Sequence, residues 1–163
     1  MKYSFEELKE RFVKDLMNEE PMYIVIKGHL YIEYGMQQLL DSSVANPKYM
    51  PNLSFSNKIK WLVTLGLIDK TTKTVLEAIN KIRNNYAHEL MLEITLDEIY
   101  DFIHKFSQKD QETIKKAIID RGMEEHLQLN YALIFLFGKI AGTIEAREEI
   151  KALDPKRTLT YFY

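Results

Sequence analysis

The chain has 163 residues, enough for one domain with its own core, and its 46% apolar and 28% charged content excludes a disordered chain. A net charge of −2 excludes a general attraction for nucleic acid or acidic membranes, so any contact with RNA has to be local. The absence of cysteine excludes disulfides, thiolate nucleophiles and cysteine-ligated zinc, and is typical of a reducing cytoplasm.

The sequence predicts neither a secretory signal nor a membrane span. The amino terminus, "MKYSFEELKERFVKDL", carries charges every few residues instead of a continuous apolar stretch. The longest apolar run, Tyr131 to Gly142, has about twelve residues including Lys139, whereas a membrane-spanning helix needs roughly twenty. We therefore expect a soluble cytoplasmic protein without membrane contact.

The first two helices are marked by a capping box and a proline. Ser4 and Glu7 form the capping box of a helix predicted over 5–18. Pro21 suits a first helical turn and opens a longer helix to about Ser42. This second helix is apolar nearly all round, so we expect it at the centre of the fold.

Two further helices follow a loop rich in proline and asparagine. Ser54 caps a short helix that runs to Leu65 and ends at Gly66. Asp69 is the expected N-cap of the next helix. Its apolar stripe consists of Val75, Leu76, Ile79, Ile82 and Tyr86.

The C-terminal part predicts three more helices and a tail. A second capping box, Thr95 with Glu98, opens a helix that is followed by a shorter one ending at Gly122. A long apolar helix then precedes Pro155, and the final "RTLTYFY" alternates as a short strand or an ordered tail does. The fold class predicted is an all-α bundle of about six or seven helices.

We expect a single domain over 1–163. Its first part, about 21–92, holds the most distinctive segment of the sequence, helices occupy 95–153, and 154–163 form the tail. No internal repeat or low-complexity tract divides the chain.

The distinctive segment is "IRNNYAH", residues 82–88, inside the fourth predicted helix. At about 100° per residue, Arg83 and His88 lie roughly 140° apart on a regular helix, whereas Asn84 and His88 share a face. One helix alone does not bring the arginine and the histidine together. They meet at one phosphate only if the helix distorts or if two copies face each other in a dimer.

These residue types suit phosphodiester chemistry. A histidine that titrates near neutrality can take a proton from a ribose 2′-hydroxyl or give one to a leaving oxygen. The guanidinium of Arg83 offers a fixed fork of donors to phosphoryl oxygens, and Asn84 can orient it or add a hydrogen bond. The alternative is that Arg83 pairs with a buried acid and His88 is a solvated surface residue.

The segment resembles the Arg-x4-His motif of the HEPN superfamily, in which a polar residue, commonly asparagine, follows the arginine. The neighbouring "FSNKIKWLVTLGLID" and "INKIRNNYAHEL" are also similar to HEPN-type proteins related to the mannitol-operon repressor. The likeness spans about Pro21 to Leu90. It implies a HEPN-like helical bundle, a homodimer and a metal-independent endoribonuclease acting on RNA in a toxin–antitoxin, phage-defence or stress role.

The resemblance assigns roles to three residues. Arg83 becomes the phosphate-stabilising residue, His88 the acid or base, and Asn84 the supporting polar residue. Since the repressor-like relatives are regulators, a non-catalytic regulator or protein-interaction module remains the alternative, with an antitoxin or regulatory protein as its partner. Some toxins of this superfamily carry a modifiable tyrosine two residues after the histidine, where this chain has Leu90.

Several other residues are candidates for supporting roles. His29, Glu33 and Gln37 form one polar stripe on the second helix, which is either exposed or places Glu33 opposite Arg83. His29 and Glu33 alone do not make a metal site, since zinc takes three or four ligands, and we expect no metal and no cofactor. Affinity for RNA would rest on a few lysines, such as Lys58, Lys60 and Lys81.

The remaining features are expected to serve packing. We predict that Trp61 lies in the core and that Gly138 and Gly142 let another helix approach closely, within the fold or, as the alternative, across an oligomer interface. His104 and His126 are expected to be ordinary surface or core residues.

Overall fold

The computed structural model describes residues 5–17, 20–88, 93–120, 122, 124 and 127–153. Within these ranges it has seven α-helices and no strand, which confirms the all-α bundle of six or seven helices. The helices are α1 (Phe5–Asp15), α2 (Pro21–Asp41), α3 (Phe55–Thr64), α4 (Lys70–His88), α5 (Leu96–Ile103), α6 (Gln108–Asp120) and α7 (Gln128–Leu153), with a 3₁₀ turn at Pro47–Tyr49. The predicted Ser4 cap, His126 and the tail at 154–163 lie outside the described residues.

Three helix starts are confirmed by their capping hydrogen bonds. The side chain of Ser54 accepts the backbone N–H of the third residue of α3 at 3.3 Å. Asp69 Oδ1 accepts that of the third residue of α4 at 2.6 Å, and this bond is the main reason why the pKa of Asp69 lies below its ordinary value. Thr95 and Glu98 form the complete capping box of α5. These bonds satisfy backbone donors that a helix start leaves without partners.

The centre of the bundle is the contact between α2 and α7. Both are long and largely apolar, and two glycines of α2 let them approach closely. A Cβ atom at Gly28 would lie 2.7 Å from Leu133 Cδ1, and one at Gly35 would lie 3.2 Å from Phe137 Cε2. The prediction that α2 is central is thereby confirmed.

Two packing predictions are wrong. Gly138 and Gly142 of α7 are exposed and a Cβ atom at either would meet no heavy atom within 4 Å, so their predicted role in packing within the fold is wrong and α7 uses another face for its contact with α2. A close approach at these glycines across an oligomer interface stays a prediction. Trp61 is 42% exposed, because the buried face of α3 is formed by Phe55, Ile59 and Leu62. His104 is an exposed residue, in keeping with an ordinary surface position.

Among the described residues one helix, α7, is long and apolar enough to cross a membrane by length and composition. The sequence prediction of no membrane-length helix considered only the run from Tyr131 to Gly142, whereas α7 has further apolar residues on both sides of that run. Half of its most apolar window is buried inside the bundle. The apolar character of α7 therefore has a packing role within the fold.

The other helices pack around this central pair. α1 crosses α2, with the Phe12 ring 4.9 Å from Tyr31 and 4.5 Å from Phe137. α5 and α6 pack on α7, while α3 and α4 pack on α2 and on each other. The predicted stripe of α4 faces inward, with Val75, Leu76, Ile79 and Tyr86 buried. The junction of α2, α3 and α4 is where the predicted site residues lie.

Candidate functional site

Six polar side chains meet where α2, α3 and α4 pack together, and we call this group the polar seam. Its members are joined by hydrogen bonds, an ion pair and electrostatic interactions. They are His29 and Glu33 of α2, Ser56 and Lys58 of α3, and Asn80 and Arg83 of α4. The seam lies on a face of α2 roughly 120° around the helix from the two glycines that contact α7.

His29 is the most deeply buried member of the polar seam. Its side chain is 2% exposed and its ring stacks on Phe55, with 4.1 Å between ring centroids. Its Nε2 atom lies 3.1 Å from Asn80 Oδ1. Because an amide oxygen only accepts, Nε2 carries the hydrogen, and Nδ1 is left as an acceptor enclosed without a hydrogen-bond partner among the described residues. Asn80 Nδ2 in turn donates to Ser56 Oγ at 3.5 Å.

The surroundings of His29 keep its ring neutral. Burial is the main cause that lowers its pKa below the ordinary value of 6.5, and the positive charges of Arg83 and Lys58 lower it further. The hydrogen bond to Asn80 and the charge of Glu33 act in the opposite direction without cancelling the effect of burial. His29 is therefore a fixed donor that orients Asn80, one helical turn before Arg83.

The second polar residue of α2 is paired with a lysine. Glu33 Oε1 lies 2.8 Å from Lys58 Nζ, and the Lys58 side chain is only 10% exposed against 29% for Glu33. The sequence allowed Glu33 to face Arg83, but its carboxylate binds Lys58. The alternative in which the stripe of His29, Glu33 and Gln37 is exposed is wrong for His29, which is buried. Gln37, the third residue of the stripe, donates a hydrogen bond to Asp41 at 2.8 Å.

Arg83 lies at the edge of the seam and is half-buried. Its Nη1 atom donates to Asn84 Oδ1 at 2.9 Å, and no acidic side chain within the described ranges pairs with it. The alternative that Arg83 pairs with a buried acid therefore finds no support among the described residues. Asn84 holds the guanidinium, which is the supporting contact expected of it.

His88 is the last residue of α4, four positions after Asn84, and its side chain lies outside the part of the chain that the structure describes. Between them, Tyr86 fixes the end of α4 in the core. Its hydroxyl is enclosed without a hydrogen bond to any described residue. Burial raises the pKa of Tyr86 to about 12, and the charges of Glu98, Glu93 and Glu20 act in the same direction.

Sequence reasoning missed part of the seam. Phe55, Ser56 and Asn80 were not singled out, and Lys58 was expected only as a surface contact for RNA, whereas it is buried in an ion pair. The spacing contained a signal for Asn80, since it lies three residues before Arg83 and thus on the same face of α4. The contacts of Phe55 and Ser56 with α2 and α4 depend on how the helices pack, which no local pattern reports.

The local charge of the seam differs from that of the whole chain. Lys58 and Arg83 are positive, Glu33 is negative and His29 is neutral, which leaves one net positive charge in a protein of net charge −2. The exposed Lys60 and Lys81 lie on α3 and α4. In the described ranges, no three histidine, aspartate or glutamate side chains are grouped so that they could hold a metal ion.

Comparison with known proteins gives one match. No curated protein and no solved structure matches the chain. Residues 34–126, more than half of the chain, match the family described as "Domain of unknown function (DUF4145)". The matched segment covers the end of α2 and the whole of α3, α4, α5 and α6, with Arg83, Asn84 and His88. The chain therefore belongs to this family of helical domains.

Proposed function

We propose that the protein is a metal-independent endoribonuclease of the HEPN type that cleaves RNA in the cytoplasm as a toxin or in phage defence or stress. The observation that carries the proposal is Arg83, whose guanidinium is oriented by Asn84 at a locally positive junction and has no acidic partner among the described residues. An arginine held in this way keeps donors available for phosphoryl oxygens. His88 follows on the same helix, at the spacing of the Arg-x4-His motif.

The proposed reaction is an internal transfer at phosphorus. The ribose 2′-oxygen attacks the adjacent phosphorus, the bond from phosphorus to the 5′-oxygen breaks, and the products are a 2′,3′-cyclic phosphate and a free 5′-hydroxyl. His88 takes the proton from the 2′-hydroxyl or delivers one to the leaving 5′-oxygen. Arg83 stabilises the negative charge that builds on the phosphoryl oxygens. No metal, cofactor or redox partner enters this balance.

A homodimer solves the geometric problem of the motif. On one regular helix the side-chain directions of Arg83 and His88 differ by roughly 140°. If two α4 helices face each other, an arginine of one copy and a histidine of the other reach the same phosphodiester. We therefore include a second copy of the chain in the proposed active unit.

The proposal is tested by incubating the purified full-length protein with RNA in EDTA and identifying the product ends. We expect His88→Ala to lower the cleavage rate by roughly 10²- to 10⁴-fold, and Arg83→Ala by on the order of 10²-fold or more. The matched controls are His104→Ala and Lys115→Ala, which remove an exposed histidine at the C-cap of α5 and an exposed positive charge on α6 and should leave the rate unchanged.

Two results would contradict the proposal. One is a wild-type protein that cleaves no RNA in EDTA at any concentration at which it is folded. The other is His88→Ala cleaving as fast as wild type, which would assign the activity to a contaminant. Mixing His88→Ala with Arg83→Ala adds a test of the dimer, because mixed dimers regain one complete site and partial activity.

A second candidate, a non-catalytic regulator or protein-interaction module, is favoured by a different observation. Met22, Ile26 and Leu30 recur every four residues on α2 and are 38%, 38% and 52% exposed. An apolar row exposed along one helix is typical of a surface that binds another protein. For this candidate we expect a stable complex with a regulatory protein or antitoxin that Leu30→Glu abolishes, whereas His88→Ala leaves it intact.

A further inference from the structure

A second feature with ligand-binding character lies on α7, away from the polar seam. An open hollow of about 400 Å³ separates the turn at Gly66 and Leu67 from one face of α7. That face consists of Lys139, Gly142, Thr143, Ala146 and Arg147. We call this space, with all of its lining residues, the α7 hollow, and none of these residues belongs to the polar seam. Asp69, next to the turn, and Arg83 are separated by roughly 20 Å along α4.

Both walls of the hollow include a glycine, Gly66 in the turn and Gly142 in α7. A Cβ atom at Gly66 or Gly142 would meet no heavy atom within 4 Å. Gly66 has φ +65°, which explains its identity by backbone conformation alone. Gly142 lies within α7, where glycine is less favourable than alanine, and it makes no close contact that packing would require.

Arg147 gives the hollow its chemistry. Its Nε atom is enclosed and donates no hydrogen bond to any described residue. A guanidinium keeps its proton, so this donor stays charged and dehydrated without an acceptor, which is unfavourable. Arg147 also lines the hollow, so an oxyanion bound there would lie beside a guanidinium, whose planar fork of donors suits two parallel hydrogen bonds to one anion.

Lys139 contributes a second, weaker positive charge. It lies on the same face of α7 as Arg147, two helical turns away. Its Nζ atom is 2.7 Å from Asp110 Oδ2, so much of its charge is already compensated. Its field also reaches Asp69, whose pKa it helps to lower. Of the two cations that line the hollow, Arg147 is the one without an ion pair among the described residues.

We propose that the α7 hollow binds a small molecule carrying a phosphate or carboxylate group, with Arg147 as the principal contact and Lys139 as a secondary one. The volume falls within the range of small-molecule sites in proteins, roughly 300 to 1,000 Å³. The apolar part of the molecule lies against Leu67 and Ala146. The site is separate from RNA cleavage, so it stands or falls independently of Arg83 and His88.

The test uses the full-length protein and two simple probes, inorganic phosphate and acetate, each titrated at constant ionic strength with chloride as reference. Binding is followed by amide chemical shifts in two-dimensional NMR spectra. We expect saturable shifts at Gly66 and Gly142 with phosphate, with acetate or with both, and the probe that binds more tightly identifies the chemical class. Arg147→Gln should weaken binding by at least about tenfold, the loss of a charged hydrogen bond.

Two variants guard against a trivial result. Gly142→Leu places a side chain into open space and should block binding while the protein stays folded, whereas Lys115→Gln removes one positive charge from the exposed face of α6 and should leave binding unchanged. The proposal is overturned if neither probe shifts these amides beyond the chloride reference. It is equally overturned if Arg147→Gln and Gly142→Leu bind like wild type, or if Lys115→Gln loses affinity as Arg147→Gln does.

Discussion

The two contact faces of α2 differ in what they provide. Toward α7, Gly28 and Gly35 bring two apolar helices into close contact, against Leu133 and Phe137. Toward α3 and α4, the same helix presents His29 and Glu33. His29 is hydrogen-bonded to Asn80 and its Nδ1 atom has no partner among the described residues, while Glu33 forms an ion pair with Lys58. Departure from the best packing is typical of functional sites rather than of scaffolds. One face thus stabilises the bundle, and the other holds the candidate site.

The largest expected effect comes from breaking the glycine face. Gly28→Val adds carbon atoms where even a Cβ would lie 2.7 Å from Cδ1 of the fully buried Leu133, whose side chain would have to move within the core. We expect it to lower the free energy of unfolding by about 3 kcal/mol, measured by urea denaturation, since overpacking costs roughly 1 to 3 kcal/mol or more.

The control for this prediction is a glycine of α7 that makes no contact. Gly142→Ala should raise the free energy of unfolding by roughly 0.5 to 1 kcal/mol, because alanine is the better helix former and its Cβ meets nothing within 4 Å. If Gly28→Val is as stable as Gly142→Ala, the close contact between α2 and α7 is not the one described.

A smaller effect is expected from breaking the ion pair of the polar face. Lys58→Met keeps the length of the side chain but leaves the Glu33 carboxylate without its partner. Breaking a fully buried pair costs about 3 to 5 kcal/mol. Glu33 is 29% exposed and regains some water, so we expect about 2 kcal/mol.

The double variant Lys58→Met with Glu33→Gln isolates the pair. It should recover much of the loss, because it leaves no unpaired charge at the seam. A double variant whose loss equals the sum of the two single losses would show that the two charges do not interact.

Local features of the fold could be predicted from the sequence, whereas contacts between helices could not. The starts of α3, α4 and α5 follow from Ser54, Asp69 and the Thr95 capping box, because a cap binds backbone within its own first turn. Trp61 was misplaced because α3 has apolar residues on more than one side, and only packing decides which side is buried. The same reason explains why Gly142, and not Gly28, was expected at a helix contact.

The candidate site shows the same division. The order of Arg83, Asn84 and His88 along α4 is a local pattern, and the contact between the first two is present at 2.9 Å. The partner of Glu33 depends on the register of α3 against α2, and that register selects Lys58 instead of Arg83. Asn80 gains its role only because His29 comes from another helix to meet it. Sequence patterns identify such residues, and packing selects their partners.

The smallest expected effect is a pH dependence of stability that comes from His29, on the polar face of α2, and has no counterpart on the glycine face. Since burial lowers the pKa of His29 below 6.5, the unfolded chain binds this proton more tightly than the folded protein, so its contribution to stability is present above pH 6.5 and is lost as pH falls below it. The loss cannot exceed about 1.4 kcal/mol per pH unit, the limit for one proton. His29→Gln keeps a donor for Asn80 without titrating, so its stability should fall less than that of wild type between pH 7 and pH 5.5.

The control is His104→Gln, at the exposed C-cap of α5, whose pH profile should follow that of wild type. Parallel pH profiles for wild type and His29→Gln would mean that His29 is as easily protonated in the folded protein as in the unfolded chain, and the polar face of α2 would then be open to water.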